Sequence, residues 1–333
     1  MRILLVGLAL LVASCVQLTD PARTSSSALN APESPIARCM NLGSALEATY
    51  EGQWGYTVRR EDLVRLKTAG FDTIRLPVRW SVHAEEDAPH TLDADMLARV
   101  EEIIGWADEI GLNIIVNVHH YSGLNREPDK HEGRLEAIWD QLSSHFVDAP
   151  DGLIFETINE PNGNMTVERT DALNVRLLAR IREDHPTRWV ILGTAGWGQL
   201  YALQSSRPMI SDRLILTYHE YDPFDFTHQG AHWTDRTETG IRWGSRTQRR
   251  QMWERLDSAQ AVQDRTGMPV FVGELGVFQN VPANLRARWT KTLREGIEAR
   301  GMSWCYWDFA GELKAYDIES EAWLPELKSA LLD

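Results

Sequence analysis

Eight short apolar runs rich in β-branched residues recur along the chain with longer amphipathic stretches between them, and this alternation limits the possible folds more than any other feature. The runs are ARCMNLG (37–43), DTIRLPV (72–78), LNIIVNVH (112–119), GLIFETI (152–158), WVILGT (189–194), RLILTYH (213–219), PVFVGE (269–274) and MSWCYWDF (302–309). Between them lie patterns such as REDLVRLKTAG, DADMLARVEEIIGWADEIG and RRQMWERLDSAQAVQDRTG, where apolar residues return every three or four positions and the run closes on Gly. That period marks one buried face of a helix, and the closing Gly marks its C-terminus. Runs that are apolar on both faces belong in a parallel sheet covered by helices. Eight such units in about 300 residues predict an α/β fold, a closed (β/α)8 TIM barrel forming one domain over residues 36–333. No G-x-G-x-x-G turn follows the first run, as an open dinucleotide-binding sheet would require. The fifth unit is the weakest, because AGWGQLYALQSS makes a poor helix.

The segments before the barrel read as an address and a tether. Residues 1–15 (MRILLVGLALLVASC) hold one Arg, a short apolar run and then small residues, the pattern of an export signal. VASC resembles a bacterial lipobox, which makes Cys15 the expected lipidation site and the outer membrane the expected location. Ordinary cleavage near Ser14 is the alternative, with periplasmic or extracellular release. Residues 16–35 are rich in Ser, Thr, Ala and Pro without an apolar period, and read as a flexible tether. Lys and Arg number 34 against 48 Asp and Glu, a formal charge of −14, which disfavours nucleic acid and anionic surfaces as partners. A neutral or cationic substrate fits that charge better, and a monomer is expected.

Active sites of such barrels lie at the C-terminal ends of the strands. The polar residues found there are Asn41, Arg75, His119, His120, Asn159, Glu160, His219, Tyr221, Glu274, Trp307 and Asp308. Glu160 and Glu274 each follow an apolar run, and a carboxylate buried without a partner costs several kcal/mol. Two glutamates facing one pocket are the equipment of glycoside cleavage, one as proton donor and one as ionised nucleophile or base. Asn159 would bind the sugar 2-hydroxyl beside Glu160. Adjacent His119 and His120 are expected on opposite faces of a strand, so that one at most meets the pocket. No H-E-x-x-H or paired C-x-x-C occurs, so no metal or other cofactor is expected.

FETINEPNG, FVGELG, RLPVRW, VNVHHY, YHEYDPFDFTHQGAHW and WDF, in this order on successive strands, together resemble glycoside hydrolase family 5 over residues 37–330. The resemblance implies a retaining double displacement with Glu160 as acid/base and Glu274 as nucleophile, their carboxyl groups about 5–5.5 Å apart. It further implies that Arg75 bonds the nucleophile, that His119 and Asn159 surround the −1 sugar, that His219 supports the acid/base, that Tyr221 contacts the nucleophile and that Trp307 lies beneath the −1 sugar. Burial and the charge of Glu274 are expected to raise Glu160, with a bell-shaped rate profile on the acid side of neutral. Trp54, Trp80, Trp197 and Trp233 sit after strands or in loops, as sugar platforms or as loop packing.

PFDFTHQGAHW with LGSALEA and EGQWG is similar to bacterial members that are endo-β-1,4-glucanases, which makes cellulase-type cleavage the expected activity. β-Mannanase, xyloglucanase and mixed-linkage glucanase activities are the alternatives within the family. No carbohydrate-binding module follows the barrel, so soluble glucans or oligosaccharides are expected substrates. A barrel that only binds glycan at a surface is the rival outside enzymes, and it would have no need of both glutamates. An esterase would need a G-x-S-x-G turn and a lyase a carboxylate cage for Mg²⁺, and neither occurs. Cys39 and Cys305 fall on the first and last strands, which meet when a barrel closes, so a disulfide across the seam is one reading and buried free thiols are the other.

Overall fold

The structure, a computed structural model, describes residues 33–333. The proposed signal segment with Cys15, and the tether up to residue 32, lie outside the described residues. Eight strands, β1 (Arg38–Asn41), β2 (Thr73–Val78), β3 (Asn113–Val118), β4 (Leu153–Glu156), β5 (Val190–Leu192), β6 (Leu214–Glu220), β7 (Val270–Leu275) and β8 (Ser303–Tyr306), close in sequence order into one parallel barrel. Six lie within their expected runs and are shorter, while β6 and β7 each start and end one residue later than expected; most of the polar residues sit just beyond the last ladder bond.

The helices end where the glycines predict. Gly70, Gly111 and Gly267 take left-handed φ values of 107°, 76° and 69° at the C-termini of helices Arg60–Ala69, Ala94–Ile110 and Arg246–Thr266. Only glycine adopts such angles without a Cβ penalty. The fifth unit is irregular, as expected: Gly196 and Trp197 are left-handed, and only the six-residue helix Leu200–Ser205 follows. After β8 the chain makes a two-stranded hairpin (Tyr316–Asp317 with Ala322–Trp323) that the sequence did not suggest. The final helix Pro325–Leu332 is tied to helix Ala283–Glu298 by Arg294 Nε donating to Ala330 O at 2.9 Å.

The barrel interior has two layers of opposite character. Cys39, Ile115, Ile154, Ile191, Ile215, Phe271 and Cys305 form an apolar layer, with Ile36 packed beside them. Two residues further along five of these strands, on the same inward face, come Asn41, Asn117, Glu156, Thr217 and Gly273 instead. The strand period of two thus places a polar floor directly above an apolar plug, at the end where the site forms.

The barrel seam is closed by a disulfide. Cys39 lies opposite Cys305 in the β1–β8 register, and the two sulfurs are bonded across a sequence separation of 266. This corrects the free-thiol reading: adjacent inward-facing positions on neighbouring strands put both sulfurs in one place. Close backbone approach shapes the neighbouring seam, since a Cβ on Gly276 would stand 2.1 Å from Trp307 O. Glycine there lets the ends of β7 and β8 converge, which brings Glu274 and Trp307 to the same mouth.

Candidate active site

Arg75 organises the floor. Its side chain is fully buried, and Nε and Nη2 donate to Glu156 Oε2 and Oε1 at 2.7 and 2.8 Å. Nη1 donates to Glu274 Oε1 and to Asn41 Oδ1, both at 2.9 Å, and Nη2 also reaches Asn159 Oδ1 at 2.7 Å. The fork geometry of guanidinium makes such a bidentate pair strong and directional. Glu156 was not among the residues singled out by sequence. Its signal was a charged residue at an inward position of β4, inside a run read as uniformly apolar. Asn41 turns out to be wholly buried, holding Arg75 rather than facing the cleft; its Nδ2 donates to Gly273 O at 3.0 Å.

Glu160 follows β4 by four residues and takes a left-handed φ of 46°, before Pro161. Left-handed backbone costs a non-glycine residue about 1–2 kcal/mol, and it turns this carboxyl across the mouth toward β6. There Glu160 Oε1 is 2.7 Å from His219 Nδ1, and the same nitrogen stands 3.5 Å from Glu274 Oε2. Tyr221 Oη donates to Glu274 Oε2 at 2.9 Å. One oxygen of each glutamate lies within 4.8 Å of the other and of that nitrogen. Facing oxygens this close fit the short carboxyl separation of double displacement better than the longer one of an inverting pair.

His119 is buried with its ring parallel to Trp307 at 5.6 Å between centroids, and its Nε2 is 3.2 Å from Asn159 Nδ2. The expectation that His119 and His120 point to opposite faces fails. β3 ends at Val118, and His120 is left-handed at φ 50°, so its ring packs edge-on to His119 at 4.5 Å and lies 6.3 Å from Trp54. Trp80 is corrected too: it is 0% exposed and belongs to the core between sheet and helices, so it cannot serve as a sugar platform. Trp54, Trp197 and Trp233 are exposed by 49%, 58% and 46%. Trp233 packs edge-on against Phe278 at 5.0 Å.

Comparison with known proteins decides the family. The profile of cellulase (glycosyl hydrolase family 5) matches residues 37–312. The chain belongs to glycoside hydrolase family 5. Endoglucanase H of Acetivibrio thermocellus is 31% identical over 299 residues, which cover 88% of this chain and 32% of that protein; endoglucanase B of Clostridium cellulovorans is 27% identical, over 80% of this chain and 65% of that one. The chain therefore spans about a third of the first of these relatives and about two-thirds of the second. Thermotoga maritima Cel5A, solved with cellobiose and with mannotriose, superimposes in both complexes with a TM-score of 0.87 at 35% identity, covering 89% of this chain and 97% of that one.

Burial governs protonation in this family 5 barrel. It is the largest influence on Glu274 and raises its carboxyl; His219 and Arg75 oppose the rise, Glu160 adds to it and Tyr221 opposes it. Of the two glutamates Glu274 is the deeper, with 7% of its side chain exposed against 22% for Glu160. Burial lowers His219, but the charge of Glu274 and the contact with Glu160 outweigh it and leave the imidazole raised.

Three further buried acids stand around the site. Burial pushes Glu47, Glu220 and Asp308 each up to about 7, against amide donors at Glu47 and Asp308 and against Arg255 at Glu220. A carboxyl raised on folding binds its proton more tightly in the native state. Its stabilising contribution is complete below the ordinary carboxylate value and is lost as pH rises through about 7. Burial holds His119, His120 and His228 low, and these push the other way up to their ordinary value of about 6.5. The melting temperature is therefore expected to fall between about pH 6.5 and pH 8, and to fall less steeply in Asp308→Asn. Scanning fluorimetry across that range checks both; a rising melting temperature would contradict the assignment.

Proposed function

We propose that this chain is a retaining endo-β-1,4-glucanase, and the observation that carries the reading is the Glu160–Glu274 pair facing each other across one mouth with an oxygen of each within 4.8 Å of the other. Glu274 attacks the anomeric carbon while Glu160 gives its proton to the departing glycosidic oxygen, which leaves a sugar bonded to Glu274. Glu160 then takes a proton from water as that water attacks the same carbon, and Glu274 is released ionised. Configuration is inverted twice and so retained. Arg75 and Tyr221 each donate to one oxygen of Glu274, which favours its carboxylate form and aims it at the sugar. His219 orients Glu160, while His119 and Asn159 line the −1 position above Trp307. Trp54, Trp197 and Trp233 offer apolar faces to flanking sugars. Location is part of the same proposal: export with lipidation at Cys15 would tether the barrel to a bacterial outer membrane.

Reducing-sugar release from carboxymethylcellulose, barley β-glucan, xyloglucan and glucomannan tests the activity. Cleavage of the first two is the expected result, and no release from any would overturn it. The mannotriose complex of Thermotoga maritima Cel5A favours a second reading in which mannan is also cut, and glucomannan is the substrate that reports it.

Glu156 acts on the reaction through Arg75. Glu156→Gln would turn one of its two acceptor oxygens into a donor facing the guanidinium, so Arg75 would shift under Glu274. A shift of this kind is expected to lower kcat by roughly 10- to 100-fold with KM little changed. Steady-state kinetics on β-glucan check it, and equal losses in kcat and in folded fraction would point to a purely structural role.

A further inference from the structure

The atoms assigned to glycoside cleavage also form a ligand set. His219 Nδ1 points between two carboxylates, 2.7 Å from Glu160 Oε1 and 3.5 Å from Glu274 Oε2. Around zinc, nitrogen and oxygen donors bond at about 2.0–2.2 Å and so stand about 3.3 Å from one another. Shifts of about 1 Å, shared between two glutamate side chains, would close this triad around such an ion.

Charge favours an occupant of this kind. Glu156, Glu160 and Glu274 bring three carboxylates to one mouth, and Arg75 is the guanidinium that bonds two of them. A proton on His219 adds one positive charge; a divalent ion bound in its place adds two. Glu274 can accept the ion without losing its present donors, since Arg75 occupies Oε1 and Tyr221 uses one lone pair of Oε2.

The imidazole is also held in the pose that ligation needs. A Cβ on Gly198 would fall 3.1 Å from His219 Cγ, and one on Gly273 would fall 3.2 Å from its Nε2, so the ring is clamped between two glycine backbones. The same Cβ on Gly273 would stand 2.7 Å from Thr217 Oγ1. That hydroxyl is buried and has no hydrogen-bond partner among the described residues. It borders the same gap as Nε2 without bonding it in this structure, and a small approach of the two would let it accept from Nε2–H. Metal-bound histidines use such a partner to fix the tautomer that leaves the other nitrogen free for the ion.

We infer that Glu160, His219 and Glu274 bind a divalent transition-metal ion of the zinc type, with the cleft side left open, and that the bound ion shuts off glycoside cleavage. The inference rests on the proposed roles of the two glutamates. Three lone pairs, one from Nδ1 and one from each carboxylate, bond the ion. A proton on Nδ1 or on Glu160 is released to solvent. With both carboxylates engaged, neither proton donation to the glycosidic oxygen nor attack on the anomeric carbon can occur. One imidazole with two carboxylates suits Zn²⁺, Co²⁺ or Cu²⁺, whereas Ca²⁺ wants six to eight oxygens and Mg²⁺ keeps most of its waters.

The test is calorimetric titration of the chelator-treated full chain with zinc chloride, and absorption of its Co²⁺ form, both without glycan. One ion per chain is expected, with inhibition of β-glucan cleavage following the same binding curve. Loss of an outer partner of a metal ligand already costs about 10- to 100-fold in affinity, so His219→Gln and Glu160→Gln should each weaken binding by more than about 10-fold. His145→Gln, which removes an imidazole 3.4 Å from Glu101 on the surface, should leave binding unchanged. Folding of each variant is checked by circular dichroism. Zinc affinity that survives both site substitutions, or no binding at millimolar zinc by the folded native chain, would overturn the inference. Because binding is read without substrate, a chain that binds zinc at these residues but cleaves no glucan would overturn the functional reading alone.

Discussion

Glu274→Ala is expected to lose β-glucan cleavage by on the order of 10⁵-fold, the scale seen when a catalytic nucleophile is removed. Glu160→Ala should lose less, about 10²- to 10⁴-fold, because general acid–base catalysis contributes that much. The two variants part company when the leaving group is changed. A sugar alkoxide leaves only when protonated, whereas dinitrophenolate leaves unaided. Dinitrophenyl cellobioside should therefore form the glycosyl intermediate on Glu160→Ala nearly as fast as on the native chain, giving a burst followed by slow turnover. Azide, which needs no base, should then attack that intermediate and release the β-glycosyl azide. With Glu274→Ala no intermediate can form, and azide entering the space left by the carboxylate would give the α-anomer. Stopped-flow absorbance and product NMR measure both. A burst from Glu274→Ala, or the same anomer from both variants, would reverse or remove the assigned roles.

The second large effect concerns the seam. The Cys39–Cys305 bond spans 266 residues, and the chain-entropy argument gives about 5 kcal/mol for a loop of that size. Each kcal/mol shifts the melting temperature of a chain this long by roughly 2 °C, so Cys39→Ala/Cys305→Ala should melt roughly 10 °C lower. Both sulfurs are fully buried, so reductant is expected to act on unfolded chains and leave the native barrel untouched. Thermal melts of the oxidised protein and the double variant decide it. A difference below about 2 °C would mean that packing of the apolar layer alone holds the seam. Thiol titration of the denatured, unreduced chain should find neither Cys39 nor Cys305 reactive.

The barrel was legible because its signals are local. Apolar runs of strand length, helical periods and closing glycines each report on a few neighbouring residues, and all point to the same architecture. Glu160, Glu274 and Arg75 were legible for a related reason: each places charge where an apolar run demands burial. Glu156 escaped because its run was read as apolar on both faces, although its alternate positions, Ile154 and Glu156, point into the barrel with different chemistry. Trp80 and His120 escaped for a conformational reason. Whether a ring after a strand faces the core or the mouth depends on one backbone turn, and the left-handed φ of His120 has no signature in its residue type. The disulfide was open because two cysteines on meeting strands do not by themselves state the register that sets Cys39 opposite Cys305.

The left-handed backbone at Glu160 sets folding and turnover against each other at one position. Glycine would relax that backbone, and asparagine would tolerate it better than glutamate does, yet neither can donate the proton the reaction needs. A library screened for heat resistance alone should therefore drift toward inactive proteins there, and this codon would report whether a population had been selected for persistence or for work.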